Sequence, residues 1–195
     1  MQSLSFRIRP WAYQPFSLDL RLDPTAGVTA AERLRELDQD ELEAMLVENS
    51  DEPYADRIAK AVMQVYKKGG SIETTKQFAA VIEGALSFLP PKEKKETVKK
   101  SCQRCFQALR IDVNSEFEVL YAFLEKLPTV LKSGGKVAVL TFHSGEDRLV
   151  KKAFKQGYKE GVYSAICEDV IRPSAEECFR NPRAKSTKMR WAIKE

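Results

Sequence analysis

No apolar run in this sequence approaches the roughly 18–20 residues that a bilayer-spanning helix needs. The opening stretch MQSLSFRIRPWAYQPFSLDL carries arginines and aromatics, but no apolar segment ending at a small-residue cleavage site. A membrane span and a secretory signal are both disfavoured. The expectation is a soluble cytoplasmic protein, or an organellar one if the true start lies upstream of Met1. Cysteine is scarce too: four residues, irregularly spaced, cannot make a disulfide framework. Cys102 and Cys105 form C-x-x-C, but Cys167 and Cys178 stand far apart, where a zinc site needs a second tight pair. The pair lies in a helical pattern with Arg104 and Phe106, so reduced structural thiols are expected, and no metal. Also lacking is a glycine-rich strand–turn–helix segment of the kind that cradles a nucleotide.

What is present is ordinary for a folded domain: 43% apolar and 31% charged residues, with neither repeats nor low complexity. The net charge of +4 is small, but its distribution is uneven. Acids crowd into 32–52, while 92–100 and 180–190 are basic. A basic run attracts phosphate by releasing counterions, though many such runs are only solvated helix faces.

Proline interrupts 1–24 at Pro10, Pro15 and Pro24, so that stretch reads as irregular. Thr29 with Glu32, and Asp38 with Glu41, are capping-box pairs that start two short helices. Pro53 opens a third, with Ile58, Val62 and Val65 on one face and Gly69-Gly70 at its end. Residues 74–86 and 92–110 supply two more, giving a helical subdomain. After Asn114 the character changes. An amphipathic helix carrying Phe117, Leu120, Phe123, Leu124 and Leu127 is expected to stop near Pro128. Lys136–Phe142 then reads as a strand, and a helix follows from about Glu146, an order that a parallel α/β sheet produces. Residues 162–170 and 189–193 are expected as two final strands, an antiparallel hairpin at the sheet edge. That gives about three strands, where an open doubly wound sheet usually needs roughly five to seven.

Four ordered stretches account for this shortage. They are Asp19-Leu-Arg-Leu-Asp-Pro24, Arg104-Cys-Phe-Gln-Ala-Leu-Arg-Ile-Asp-Val-Asn-Ser-Glu116, Gly134-Gly-Lys-Val-Ala-Val-Leu-Thr-Phe-His-Ser-Gly-Glu-Asp-Arg148 and Asn181-Pro-Arg-Ala-Lys-Ser-Thr-Lys-Met-Arg190. In this order the chain resembles the MraW family of ribosomal-RNA (cytosine-N4)-methyltransferases. The resemblance implies a partial Rossmann-like α/β sheet with an inserted all-helical subdomain, S-adenosyl-L-methionine as donor, and small-subunit ribosomal RNA or the small subunit as partner. It implies that 1–27 is a remnant of the active-site loop and connector, 28–100 the helical insertion, and 101–195 the carboxy-terminal part of the α/β domain. Departures are Gly145, where an aliphatic residue is usual, and 3–17, which lacks the usual G-F-S-F stretch. The family's amino-terminal donor loop is also absent, so the expectation is a truncated chain that binds the donor weakly alone. A missing amino-terminal polypeptide or a homodimer is the expected completing partner.

The implied chemistry transfers a methyl group to an exocyclic amine whose lone pair is delocalised into the ring. Such a site needs hydrogen-bond acceptors, phosphate-binding cations and firm positioning. By the resemblance, Gln2 is the remaining donor-binding residue, and His143, Asn114 and Arg110 are the catalytic candidates. His143, the only histidine, follows a strand, where it either orients the base and takes its proton or caps the next helix. Ser144 is a helix-cap candidate as well as a substrate candidate, and Asp147 with Arg148 is a candidate local ion pair. Arg104, Gln107 and Arg110 share a helix face and, with Asn114 and Glu116, either line a base pocket or buttress the fold. Asp19 and Arg21 are substrate contacts or a structural ion pair. Asn181, Arg183, Lys188 and Arg190, with Lys185, Ser186 and Thr187, suit phosphate contacts, and Trp11 and Trp191 suit base stacking. The alternatives to an enzyme are a non-catalytic RNA- or ribosome-binding remnant and a helical interaction protein.

Overall fold

A computed structural model describes residues 16–195, which divide into one unit ending at Ser115 and a second spanning Glu116–Glu195. The first unit is helical: α1 (Ala30–Glu36), α2 (Gln39–Ser50), α3 (Ala55–Lys67), α4 (Thr75–Ala85) and α5 (Pro91–Val113). Thr29, Asp38 and Thr74 each accept the N3 backbone N–H while Glu32, Glu41 and Gln77 bond back, so the expected boxes form at α1 and α2, with a further one at α4. Gly69 ends α3 at φ 75°, a left-handed conformation that glycine adopts without steric cost. Leu34, Leu46, Ile58, Ile82, Phe78 and Phe106 are fully or almost fully buried, with the two phenylalanine rings edge-to-face at 5.1 Å.

The helical unit extends beyond the expected boundary at 100. Helix α5 runs unbroken through it, because Ser101, Cys102, Cys105, Phe106 and Leu109 are all core residues of one face.

The second unit contains α6 (Glu116–Val130), β1 (Lys136–Thr141), α7 (Ser144–Lys159), β2 (Tyr163–Ile166), α8 (Ala175–Arg180), a 3-10 turn (Pro182–Ser186) and β3 (Lys188–Lys194). The sheet order is β1-β3-β2, and β3 is antiparallel to both neighbours. The expected edge hairpin is therefore corrected. The two final strands do pair antiparallel, but the last strand lies in the middle, and the α8 detour separates it from β2. Helix α6 also continues past Pro128, since a missing N–H in the last turn removes one bond without stopping the chain.

Alternation sorts the sheet into two faces. Val137, Val139 and Ala192 pack with Leu124 and Leu127 of α6 and Val150 and Phe154 of α7. The opposite face presents Ala138 and Leu140 beside Trp191 and Met189, and Leu140 is 58% exposed. An open hollow of about 460 Å³ lies along β1 and β3, lined by Lys136, Val137, Ala138, Met189, Trp191, Ala192 and Ile193. Its lining includes neither His143 nor Glu116. Among the described residues no helix is long and apolar enough to cross a membrane.

Candidate functional site

The junction from β1 to α7 brings three of the second unit's polar side chains together. Ligand-capable atoms of Glu116, His143 and Glu146 all lie within 4.8 Å of one another. Glu116 stands at the start of α6, His143 follows β1, and Glu146 is in the first turn of α7. Glu116 Oε1 and His143 Nε2 are buried atoms. Phe117 packs its ring 5.8 Å from the imidazole, and a Cβ placed on Gly145 would meet Phe117 Cζ at 2.5 Å. Gly145, with no side chain, thus leaves room for that ring.

His143, not Ser144, is the N-cap of α7. Its Nδ1 accepts the Glu146 backbone N–H at 3.4 Å, while Glu146 Oε2 accepts the backbone N–H groups of Phe142 (2.7 Å) and His143 (3.3 Å). Ser144 is the first residue of the helix: the acid three residues after it, Asp147, is taken up by Arg190, while Glu146 closes the box with His143. This arrangement has a chemical consequence. A neutral imidazole has one donor and one acceptor nitrogen. With Nδ1 accepting, Nε2 carries the hydrogen, and it faces Glu146 Oε1 at 3.5 Å. The ring therefore offers a donor rather than a proton acceptor. The same logic bears on metals. One histidine with two carboxylates is a suitable ligand set, but a ligating histidine directs its other nitrogen as a donor to an acceptor. Here that nitrogen meets an N–H.

Asp147 pairs with Arg190 of β3. Arg190 Nε and Nη2 donate to its two oxygens at 2.7 and 3.2 Å. Burial pushes the Asp147 carboxyl up, but the Arg190 guanidinium, with Lys188 and Arg172, outweighs it and holds the group below its usual range. Arg190 is only 6% exposed, which places this expected phosphate contact inside the fold. Asn181 accepts the Arg183 backbone N–H at 3.2 Å and caps the 3-10 turn, whereas Arg183 and Lys185 are exposed. Lys188 is half-buried on β3.

The first unit holds the remaining candidates. Asn114 donates to the Leu20 carbonyl at 2.9 Å and the Arg110 carbonyl at 2.7 Å, and accepts the Leu22 N–H at 2.7 Å. It clamps the 20–22 segment onto the end of α5, at a point where Leu20 takes φ 62°. Asp19 binds Arg21 through Nε at 2.6 Å and Nη2 at 2.9 Å, and that guanidinium lowers its carboxyl pKa. Arg104 lies 3.8 Å from the fully buried Glu52 carboxylate, which also accepts the Ser101 hydroxyl at 2.9 Å. Gln107 and Arg110 are half-buried on the same helix. Cys102 and Cys105 are core residues; burial pushes Cys102 up to about 12 and Cys105 well above the usual thiol value. Thiols so placed resist the deprotonation that metal binding needs. Gln2 and Trp11 lie outside the described residues.

Sequence reasoning missed Glu146, although its signal was present. An acid three residues after a strand-ending residue is the spacing that marked Glu32 and Glu41. Histidine in the cap position concealed it. For the donor, the described residues offer no glycine-rich strand–turn–helix loop; the β1–α7 junction has one glycine, packed against Phe117.

The sequence profile of the MraW methylase family matches residues 4–195. A protein named ribosomal RNA small subunit methyltransferase H 1 from Lachnoclostridium phytofermentans is 63% identical over 177 residues, 91% of this chain and 48% of the relative. Its namesake from Agathobacter rectalis is 62% identical over 91% of this chain and 51% of its own. The methyltransferase H of Acidobacterium capsulatum is 36% identical, again over 91% of this chain and 57% of its own. The chain spans about half the length of the curated relatives it matches.

Proposed function

The chain belongs to the MraW methylase family, and from that premise we propose that it supplies the substrate side of an S-adenosylmethionine-dependent enzyme that methylates a cytosine N4 in small-subunit ribosomal RNA. The observation that carries this reading is the match over residues 4–195. The target is an amine, so its pocket needs acceptors for the N4 hydrogens and for the proton released as the carbon–nitrogen bond forms. Glutamate carboxylates accept from cytosine N4. Glu116 takes that part, and the His143 Nε2–H orients the base from its fixed tautomer. Arg183 and Lys185 attract the RNA backbone. A ribosomal substrate suits a cytoplasmic location. The described residues do not fit the donor, so no step of transfer is assigned to them; a polypeptide that carries a donor loop completes that site.

One observation favours a second reading, a non-catalytic RNA- or ribosome-binding relative: the described residues lack a donor loop. Calorimetry of the 195-residue chain separates both readings from a plain interaction protein. S-adenosylmethionine is expected to bind weakly and small-subunit RNA in a salt-sensitive way. Tight donor binding would overturn the division of labour, and absence of RNA binding would overturn the substrate assignment.

A further inference from the structure

Between β2 and β3 the chain takes a detour. Ile171 bridges to Met189, Ser174 caps the short helix α8, and the 3-10 turn follows before β3 begins. From Ser174 to Ser186 only Ala184 is buried. Phe179 on α8 is 88% exposed, more than any other large apolar side chain described. A phenylalanine in water forgoes the stabilisation that burial brings.

Its surroundings are cationic. From Cys178 to Arg190 there are five basic residues and no acid. Arg190 is held by Asp147, and Arg180 pairs with Glu176 on its own helix. Arg172, Arg183 and Lys185 are exposed, and among the described residues none has a carboxylate within 4.0 Å. Against these cations the segment sets two exposed acids, Glu176 and Glu177, of which Glu176 is engaged by Arg180, so residues 172–188 keep a net positive charge beside an exposed aromatic ring in the same segment.

We infer that residues 172–188 form a single-stranded RNA contact in which Phe179 stacks on an unpaired base while Arg183 and Lys185 hold neighbouring phosphates. The inference rests on the RNA reading above and adds to it a site distinct from the His143 pocket. Bases in a duplex already stack on each other, so an exposed ring has a partner only where the strand is open. A protein partner fits less well, because interface cores surround their aromatics with other apolar groups and exclude lysine. The aromatic term is insensitive to salt, whereas the arginine and lysine terms act by counterion release.

The test is fluorescence anisotropy of the 195-residue chain with a labelled single-stranded RNA decamer, and with its duplex, across a salt series. Because Phe179 is exposed, F179A has no packing to lose. It is expected to weaken single-strand binding on the order of ten- to a hundredfold, to leave the salt slope unchanged and to spare the duplex. F179W should retain affinity, and R183A/K185A should lower the slope by about 0.7 per charge. If wild type and F179A bind the single strand equally, the stacking site is refuted while the RNA reading stands. Equal weakening on single strand and duplex refutes recognition of an unpaired base. If wild type shows no salt-sensitive binding at all, the RNA premise itself fails.

Discussion

Replacing His143 separates its capping role from the properties of its ring. The side chain accepts the Glu146 N–H at 3.4 Å, and the reciprocal Glu146 bonds reach Phe142 and His143. Alanine removes the acceptor and leaves an N–H of the first turn without its partner, which costs about 1 kcal/mol for a typical cap. Asparagine is among the best N-cap residues and restores an acceptor without the imidazole. An opening free energy lowered by about 1 kcal/mol speeds exchange of the first-turn amides of α7 roughly fivefold. Hydrogen exchange of peptides spanning 141–150 reads this directly. H143A is expected to show the increase, and H143N to remain within about twofold of wild type. Because His143 is the only histidine, imidazole nitrogen NMR of the same protein reports its tautomer without assignment. The account requires hydrogen on Nε2. Unchanged exchange in H143A, or hydrogen on Nδ1, would refute the reasoning.

Other perturbations test other parts. Asp147→Asn leaves Arg190, only 7% exposed at its side chain, facing a neutral partner, and should destabilise the second unit by about 3 kcal/mol. Since the Asp147 carboxyl is lowered in the fold, its contribution is present above the ordinary carboxylate range and lost as pH falls through the folded value; acid titration of unfolding should be shallower in D147N. Gly145→Leu puts Cβ within 2.5 Å of where Phe117 Cζ now sits and should cost about 1–3 kcal/mol in thermal unfolding, with F117L relieving much of it. Additive effects in the double mutant would argue against that contact. Cys102 and Cys105 should resist alkylation of the native protein at neutral pH while the half-buried Cys178 reacts first, read by peptide mass spectrometry. Early labelling of either core thiol would contradict their placement.

Local chemistry made much of the fold legible. Thr29 with Glu32 and Asp38 with Glu41 announced helix starts because both bonds of a capping box lie within four consecutive residues. Gly69 and the β-rich run after Gly135 were readable for the same reason. The position of β3 was not, since whether a last strand pairs at an edge or enters between two earlier ones depends on contacts far apart in sequence. The candidate site divided likewise. His143 could be placed at a strand end, but the capture of Arg190 by Asp147 joins residues on separate elements, and a basic tail gives no sign of which cation turns inward. Phe179 looked unremarkable in sequence because its significance lies in its exposure.

The most direct test joins the amino-terminal half of the Lachnoclostridium relative to this chain, incubates the hybrid with S-adenosylmethionine and undermethylated small ribosomal subunits, and analyses the digested RNA by nucleoside mass spectrometry. The account predicts N4-methylcytidine from the hybrid and none from either half alone. A hybrid that folds and binds both donor and RNA, yet methylates another atom or nothing, would contradict it.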